Sequence, residues 1–142
     1  MEATERQPSL ARVAIVACTK QKRSTAAPAI ELYDRSPLFR LSVAAARRHN
    51  LPVLVLSSKY GLVKPDTMLQ PYEADLRRVS AGERSIWQAT VAEQLRALIG
   101  NRGVKEVVCF AGPDFRRTLR EVCKPLAIRV CTYPGWQQIC DE

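Results

Sequence analysis

Four short apolar segments rich in β-branched residues recur along the chain, and stretches with helical spacing separate them. The apolar segments cover residues 12–18, 52–57, 106–111 and 127–131. Such alternation is typical of βαβ units, in which consecutive strands lie parallel in one sheet. Near-continuous apolar strands also indicate a sheet covered by helices on both faces. We therefore expect an α/β fold, a single Rossmann-like or flavodoxin-like domain with about four mostly parallel strands flanked by helices.

The first predicted helix lies between the first two strands. Ser36 followed by Pro37 is a typical helix start, since a serine caps the first turn and proline fits the first helical position. Leu38, Leu41 and Ala45 recur at helical spacing, so we expect them on the buried face, and the helix should run to about residue 50.

Two further helices are predicted downstream. Ser80 and Glu83 have the spacing of a capping box, and Gly100 with Asn101 is expected to end the helix that follows. Its buried stripe should consist of Trp87, Val91, Leu95 and Leu98. The last helix should begin at Pro113 and end before Pro125, with Phe115, Leu119 and Val122 on its buried side.

The length of 142 residues suits one domain. We expect a flexible N-terminus over residues 1–10, the α/β domain over 11–132 and a C-terminal tail over 133–142. The first residues are acidic and lack the apolar region of a secretory signal. No apolar run approaches the ~20 residues of a membrane span. A cytoplasmic protein without a membrane partner is therefore predicted.

Charge and cysteine content narrow the classes of ligand. The chain has 22 Lys and Arg against 14 Asp and Glu, a formal charge of +8, which attracts phosphates in general and does not choose between nucleotides, nucleic acids and anionic metabolites. The predicted partner is a small nucleobase-containing or phosphorylated ligand, and weak nucleic-acid binding is also allowed. The five cysteines form no Cys-x-x-Cys pair and only one histidine is present, so buried reduced thiols are expected and no metal site. No Gly-x-Gly-x-x-Gly or Walker loop occurs, so no cofactor is predicted. The sequence does not indicate an oligomeric state.

The first candidate site segment follows the first strand. Parallel crossovers bring the carboxyl ends of all strands to one sheet edge, where α/β proteins bind ligands. Cys18 lies there beside basic residues, and positive neighbours favour the thiolate, so Cys18 or Lys20 is the predicted nucleophile. Thr19 and Arg23 are predicted to bind substrate, and Tyr33 further along the same connection has the same predicted role. The alternative is a buried cysteine followed by a basic loop with no ligand.

The second segment is the long connection over residues 57–75. A connection of this length inside a compact domain is usually functional, and its own apolar residues argue against disorder. Asp66 and Glu73 are the candidate general acid or base. The predicted substrate-binding residues of this segment are Ser57, Ser58, Lys59, Tyr60, Gly61 and Tyr72.

The third segment is the start of the last helix. Gly112 leaves room for a ligand to approach the backbone, and the free N–H groups of a helix start favour an anion, so Gly112 is predicted to bind substrate. Asp114 is expected to cap the first turn instead. The three segments are predicted to meet in one pocket.

Several motifs resemble a family of small bacterial and phage proteins catalogued mainly as a domain of unknown function. They span roughly residues 12–120 and comprise Cys18-Thr19-Lys20, Pro28-Ala29, Glu31-Leu32-Tyr33, Ser36, Leu38-Phe39, Ser58-Lys59-Tyr60-Gly61-Leu62, Pro65-Asp66, Pro71-Tyr72 and Ala111-Gly112. Tyr60-Gly61, Pro65 and Gln70-Pro71-Tyr72 are more distantly similar to YaaA-type peroxide-stress proteins. The region from Cys18 to Tyr33 resembles the nitrile-attacking lysine domain of archaeosine synthase. These resemblances imply nucleobase or nucleic-acid chemistry at the cleft.

Together, the residues and the resemblances favour a small enzyme, a hydrolase or transferase, that binds a purine-like nucleobase, nucleoside or nucleotide and modifies or hydrolyses it. Two alternatives stay open at this point. One is a nucleic-acid-binding module without catalysis, which would use the excess positive charge. The other is a stress-response module that acts through protein contacts.

Overall fold

Strands and helices alternate along the chain, as the hydropathy pattern predicts. The structure, a computed structural model, describes residues 11–133. In chain order the elements are β1 (Arg12–Ala17), β2 (Ala27–Pro28), α1 (Ala29–Leu32), α2 (Pro37–Arg48), β3 (Val53–Ser57), β4 (Gly61–Val63), β5 (Met68–Leu69), α3 (Ala81–Arg102), β6 (Glu106–Phe110), α4 (Pro113–Cys123), a 3₁₀ turn (Lys124–Leu126) and β7 (Arg129–Thr132).

The main sheet has five strands in the order β4-β3-β1-β6-β7. Strand β1 is central and pairs in parallel with both β3 and β6, and β6 pairs in parallel with β7. Only β4 is antiparallel, to β3. The predicted α/β fold is therefore confirmed, and the four predicted strands correspond to β1, β3, β6 and β7. The short strands β2, β4 and β5 were not predicted.

The sheet has an apolar core on each face. Helix α2 covers one face, where Phe39 and Val43 pack with Val16 of β1. Helices α3 and α4 cover the other face and pack with the alternate β1 side chains, such as Ile15. Because successive strand residues point to opposite faces, both cores depend on the same central strand.

The buried face of α2 differs from the prediction at Leu38 and Leu41, whereas Ala45 is buried as expected. Leu38 and Leu41 are each 69% exposed, whereas Phe39 is 1% exposed. Phe39, Val43 and Ala46 have the i, i+4, i+7 spacing of one helix face, and this face lies on the sheet. The helix contains apolar residues around most of its circumference, so spacing alone selects no unique buried face.

Helix α3 begins as predicted and ends later. Ser80 Oγ accepts a hydrogen bond from the backbone N–H of Glu83, and the Glu83 carboxylate accepts one from the N–H of Ser80. The expected end at Gly100 and Asn101 is wrong, because the helix continues to Arg102. Gly103 then adopts a left-handed conformation with φ of 67° and closes the last turn.

The edge strand β4 is hydrogen-bonded to a side chain of α3. The Leu62 N–H donates to Gln94 Oε1 at 2.7 Å. Gly61, which begins β4, has φ of 77°, and a Cβ at this position would lie 2.6 Å from the same oxygen. Gly61 is therefore required both by its backbone conformation and by the close approach of Gln94.

No helix within residues 11–133 is long and apolar enough to cross a membrane. The expected N-terminal segment 1–10 lies outside the described residues, and so does the expected tail apart from Tyr133.

Two substitutions in α2 test which face is buried. Phe39→Ala should lower the free energy of unfolding by about 3–5 kcal/mol, because it removes an enclosed ring. Leu41→Ala should change it by less than about 0.5 kcal/mol, because the side chain is mostly in solvent. Urea denaturation measures both. Equal losses in the two variants would contradict the assignment of the buried face.

Candidate functional site

The topology of the sheet creates a crevice beside its central strand. From β1 the chain passes to β3 on one side, and it later returns to β6 on the other side. The order of the four parallel strands follows the flavodoxin-like pattern, in which ligands bind between strands whose connections leave in opposite directions. The segments that follow β1 and β6 begin with Cys18 and Ala111, and they border this crevice.

A cavity of about 460 Å³ lies at this edge. Its volume falls within the range that accommodates small-molecule ligands, roughly 300–1,000 Å³. We call it the main cavity; its lining residues are Cys18, Thr19, Lys20, Lys22, Ser58, Ala74, Asp75, Leu76, Arg77, Arg84, Trp87, Gln88, Gly112, Pro113, Asp114, Phe115, Arg117, Thr118 and Glu121. Residues from all three predicted segments therefore meet here.

Cys18 and the two lysines after it form one wall of the main cavity. The Cys18 N–H donates to the carbonyl of Leu56 at 2.9 Å, which fixes the backbone where it leaves the sheet. The Cys18 side chain is half-buried, and Lys20 is exposed. The Lys22 ammonium lies 4.7 Å from the centre of the Tyr72 ring, within cation–π distance. A half-buried thiol thus shares the cavity with two cations.

Two aromatic rings also line the main cavity. The centres of Trp87 and Phe115 are 6.1 Å apart, with the rings tilted by 59°. The Trp87 indole N–H donates to the carbonyl of Ser57 at 2.8 Å, so the orientation of the indole is fixed from β3. Trp87 is 7% exposed and Phe115 is half-buried, so Phe115 is the more accessible of the two rings.

Arginines and carboxylates surround the mouth of the main cavity. Arg77 donates two hydrogen bonds to Asp75, which lower the pKa of that carboxyl to about 2. Asp75 is therefore ionised at neutral pH. Arg117 forms an ion pair with Asp114 at 3.6 Å. Within residues 11–133, Glu121 is the carboxylate of this cavity that has no Lys or Arg nitrogen within 4 Å.

A chain of buried hydroxyl groups supports the Cys18 wall from behind. Ser57 Oγ accepts hydrogen bonds from the N–H groups of Lys59 and Tyr60, so its own proton is donated to the Tyr72 hydroxyl at 2.8 Å. The Tyr72 and Tyr33 hydroxyls are 2.5 Å apart. Burial raises the pKa of Tyr33 to about 12, and it also raises the pKa of Tyr72. Both phenols therefore stay protonated at neutral pH.

A second, shallower cavity of about 320 Å³ adjoins the first. We call it the side cavity; its lining residues are Ser58, Lys59, Ala74, Leu76, Val79, Glu83, Ile86, Trp87 and Thr90. Lys59 extends over two aromatic rings, with its ammonium 5.3 Å from the centre of Tyr60 and 6.0 Å from that of Tyr72.

The structure places the predicted site residues in four groups, and the first three lie in or directly behind the two cavities. Five of them line the main cavity: Cys18, Thr19, Lys20, Ser58 and Gly112. Lys59 lines the side cavity, beside Ser58. Ser57, Tyr33 and Tyr72 are buried behind the cavity wall.

The remaining predicted residues lie outside both cavities. Arg23 forms ion pairs with Asp34 at 2.6 Å and with Glu31 at 3.4 Å, which tie the Cys18 loop to α1. Tyr60 packs edge-on against Tyr72, and Gly61 forms the turn into β4. Asp66 and Glu73 are exposed and line neither cavity.

Several lining residues were not predicted as part of the site. They come from α3, α4 and the segment before α3: Arg77, Arg84, Trp87, Phe115, Arg117 and Glu121. One signal was available, because helices that follow parallel strands begin at the same sheet edge as the strands end. Arg84, Trp87 and Phe115 all lie in the first two turns of such helices.

Residues 13–133 match the model of a family described as "Family of unknown function (DUF6884)". The chain belongs to this family. The expected membership of a small family of unknown function is thus confirmed, and the distant similarity to YaaA-type proteins stays a prediction.

One solved structure that is similar to this chain is the crystal structure of AF0587, a protein of unknown function. The two sequences are 21% identical and superpose with a TM-score of 0.47, and the match covers 90% of this chain and 41% of AF0587. The chain therefore spans less than half the length of that protein. No curated protein matches the sequence.

Two cysteines differ sharply from Cys18 in their surroundings. Cys109 and Cys123 are each 0% exposed, and burial raises their pKa values to about 11 and about 12. Both are free thiols, as are Cys18 and Cys131. Within residues 11–133 no cluster of three His, Cys, Asp or Glu side chains is arranged to hold a metal ion.

The cysteines should therefore differ in reactivity. In the folded protein at pH 8, iodoacetamide should label Cys18 faster than Cys109 or Cys123, because buried thiols with raised pKa values contain little thiolate. Timed labelling followed by peptide mass mapping measures each rate, and labelling in urea provides the unfolded control. Faster labelling of Cys109 than of Cys18 would contradict this prediction.

The hydroxyl chain behind the site should contribute to stability. Tyr72→Phe keeps the ring but removes the bonds to Tyr33 and Ser57, so it should lower the free energy of unfolding by about 1–3 kcal/mol. Tyr60→Phe is the matched control, and its effect should stay below about 0.5 kcal/mol. Chemical denaturation gives both values. If the two variants proved equally stable, the hydroxyl chain would have no stabilising role.

Proposed function

We propose that this protein binds a purine-like nucleobase, nucleoside or nucleotide in the main cavity and modifies or hydrolyses it. The observation that carries the proposal is the construction of the main cavity at the crevice beside β1. Its lining includes a thiol, two lysines and two aromatic rings, of which Phe115 is the more accessible. Flat heterocycles stack on aromatic rings, and lysines attract phosphate.

The Cys18 wall contains two candidate nucleophiles. Cys18 and Lys20 both line the main cavity and lie two residues apart, directly after β1. Either could attack an electrophilic carbon of a base or sugar. Lys22, held over Tyr72, is then the candidate residue for binding an anionic group of the same ligand.

A carboxylate of α4 is the best-placed candidate for general acid or base. The sequence favoured Asp66 and Glu73 for this role, but neither lines the main cavity. Both carboxylate oxygens of Asp75 accept hydrogen bonds from Arg77, and the lowered pKa of about 2 makes Asp75 a weak base as well as a poor acid. Glu121 lines the cavity without such an ion pair, so we assign the role to Glu121.

A thermal-shift screen over purine bases, nucleosides and nucleotides tests the proposed function. A ligand at about 100 times its Kd stabilises the folded state by about 2.7 kcal/mol, which should raise the Tm by about 8 °C. Lys20→Ala should reduce that shift. The matched control Lys105→Ala should not, because Lys105 is exposed and precedes β6 at the opposite edge of the sheet.

The proposal fails if no compound of the panel raises the Tm. It also fails if the two lysine variants lose the shift equally, because the ligand would then bind through overall charge rather than in the main cavity.

A further inference from the structure

The main cavity and the side cavity are adjacent and have a common border. They share four lining residues, Ser58, Ala74, Leu76 and Trp87. Trp87 lies at the junction, and its bond to the Ser57 carbonyl fixes the ring between the two compartments. A ligand that fills the main cavity can therefore extend past Trp87 into the side cavity. A single base or nucleoside leaves the second compartment empty.

Two lysines flank the junction between the cavities. Lys22 lines the main cavity and Lys59 lines the side cavity. Their ammonium groups lie 4.7 and 6.0 Å from the centre of the same Tyr72 ring. They are thus no more than about 11 Å apart, so a strand of two or three stacked nucleotides at 3.4 Å each is long enough to reach both.

Neither lysine has its charge compensated by a neighbouring carboxylate. Within residues 11–133, no ion pair within 4 Å involves Lys22 or Lys59. The carboxylate that lines the side cavity belongs to Glu83, and it is engaged in the capping box of α3. Two uncompensated cations along the two adjacent cavities are complementary to a ligand with repeated negative charges.

We propose that the ligand is a short stretch of single-stranded nucleic acid, whose reacting base enters the main cavity while a neighbouring nucleotide occupies the side cavity. This inference rests on the proposed function and specifies its substrate. Lys22 and Lys59 contact phosphates on either side of the junction. Trp87, which is 7% exposed, borders the strand where it passes between the compartments.

The test compares one nucleotide with three. The probes are dAMP and dGMP and the trinucleotides of the same bases, titrated against the full chain by calorimetry at several salt concentrations. The better purine should bind at least tenfold more tightly as a trinucleotide. The plot of log K against log salt should also steepen, by about 0.7 for each additional phosphate contact with a single strand.

Substitution of Lys59 locates the additional contact. Lys59→Gln should lower the ratio of trinucleotide affinity to mononucleotide affinity about fivefold, and it should reduce the salt slope for the trinucleotide by about 0.7. The matched control Lys105→Gln removes the same charge at the opposite sheet edge, and it should leave the ratio and the slope as in the parent protein.

The outcomes separate this inference from the proposed function. Equal affinity for mononucleotide and trinucleotide would overturn the inference and leave the proposed function standing. The trinucleotide could also bind more tightly but lose affinity equally in Lys59→Gln and Lys105→Gln. This result would overturn the inference, because the additional contact would then be non-specific. Absence of binding by every purine probe would overturn both.

Discussion

The parallel pairing of β1 with strands on both of its sides is the constraint on which the site depends. Because β3 and β6 both run parallel to β1, the carboxyl ends of the three strands lie at the same edge of the sheet. Because the two connections leave in opposite directions, a crevice remains beside β1. Cys18 reaches that crevice because the strand ends one residue earlier. The wall of the site is thus an extension of the central hydrogen-bond ladder, and a shift in the β1 register would move the thiol out of the cavity.

Much of this architecture could be predicted from local patterns. Apolar runs identified β1, β3, β6 and β7, and the Ser80–Glu83 capping box located the start of α3. The buried face of α2 could not be predicted, because apolar residues occupy most of its circumference and only packing on the sheet selects Phe39 over Leu41. The short strands β2 and β5 depend on pairing between distant loops, and a pattern within either loop does not contain that information.

Part of the candidate site could also be predicted from the sequence. The strand-end segments with Cys18, Ser58 and Gly112 follow from parallel topology alone, and these three residues do line the main cavity. The roles of Tyr33 and Tyr72 required the structure: their polarity suggested ligand contact, yet both rings are buried and hydrogen-bonded to each other. Asp66 and Glu73 are exposed and lie outside both cavities. Glu121 lines the main cavity from α4, and the sequence pattern of α4 shows an amphipathic helix but does not show which polar residues face a cavity.

The bond between Gln94 and β4 has a consequence for association between molecules. An unpaired edge strand offers its backbone N–H and C=O groups to any other extended chain, and sheets can grow in this way into aggregates. On β4 the Leu62 N–H is already bound by the Gln94 amide, which takes the position that the backbone of a sixth strand would occupy. Gly61 permits this approach because it has no side chain. One side chain of a helix therefore takes up this backbone donor of β4, and the donor is no longer available to pair with another chain.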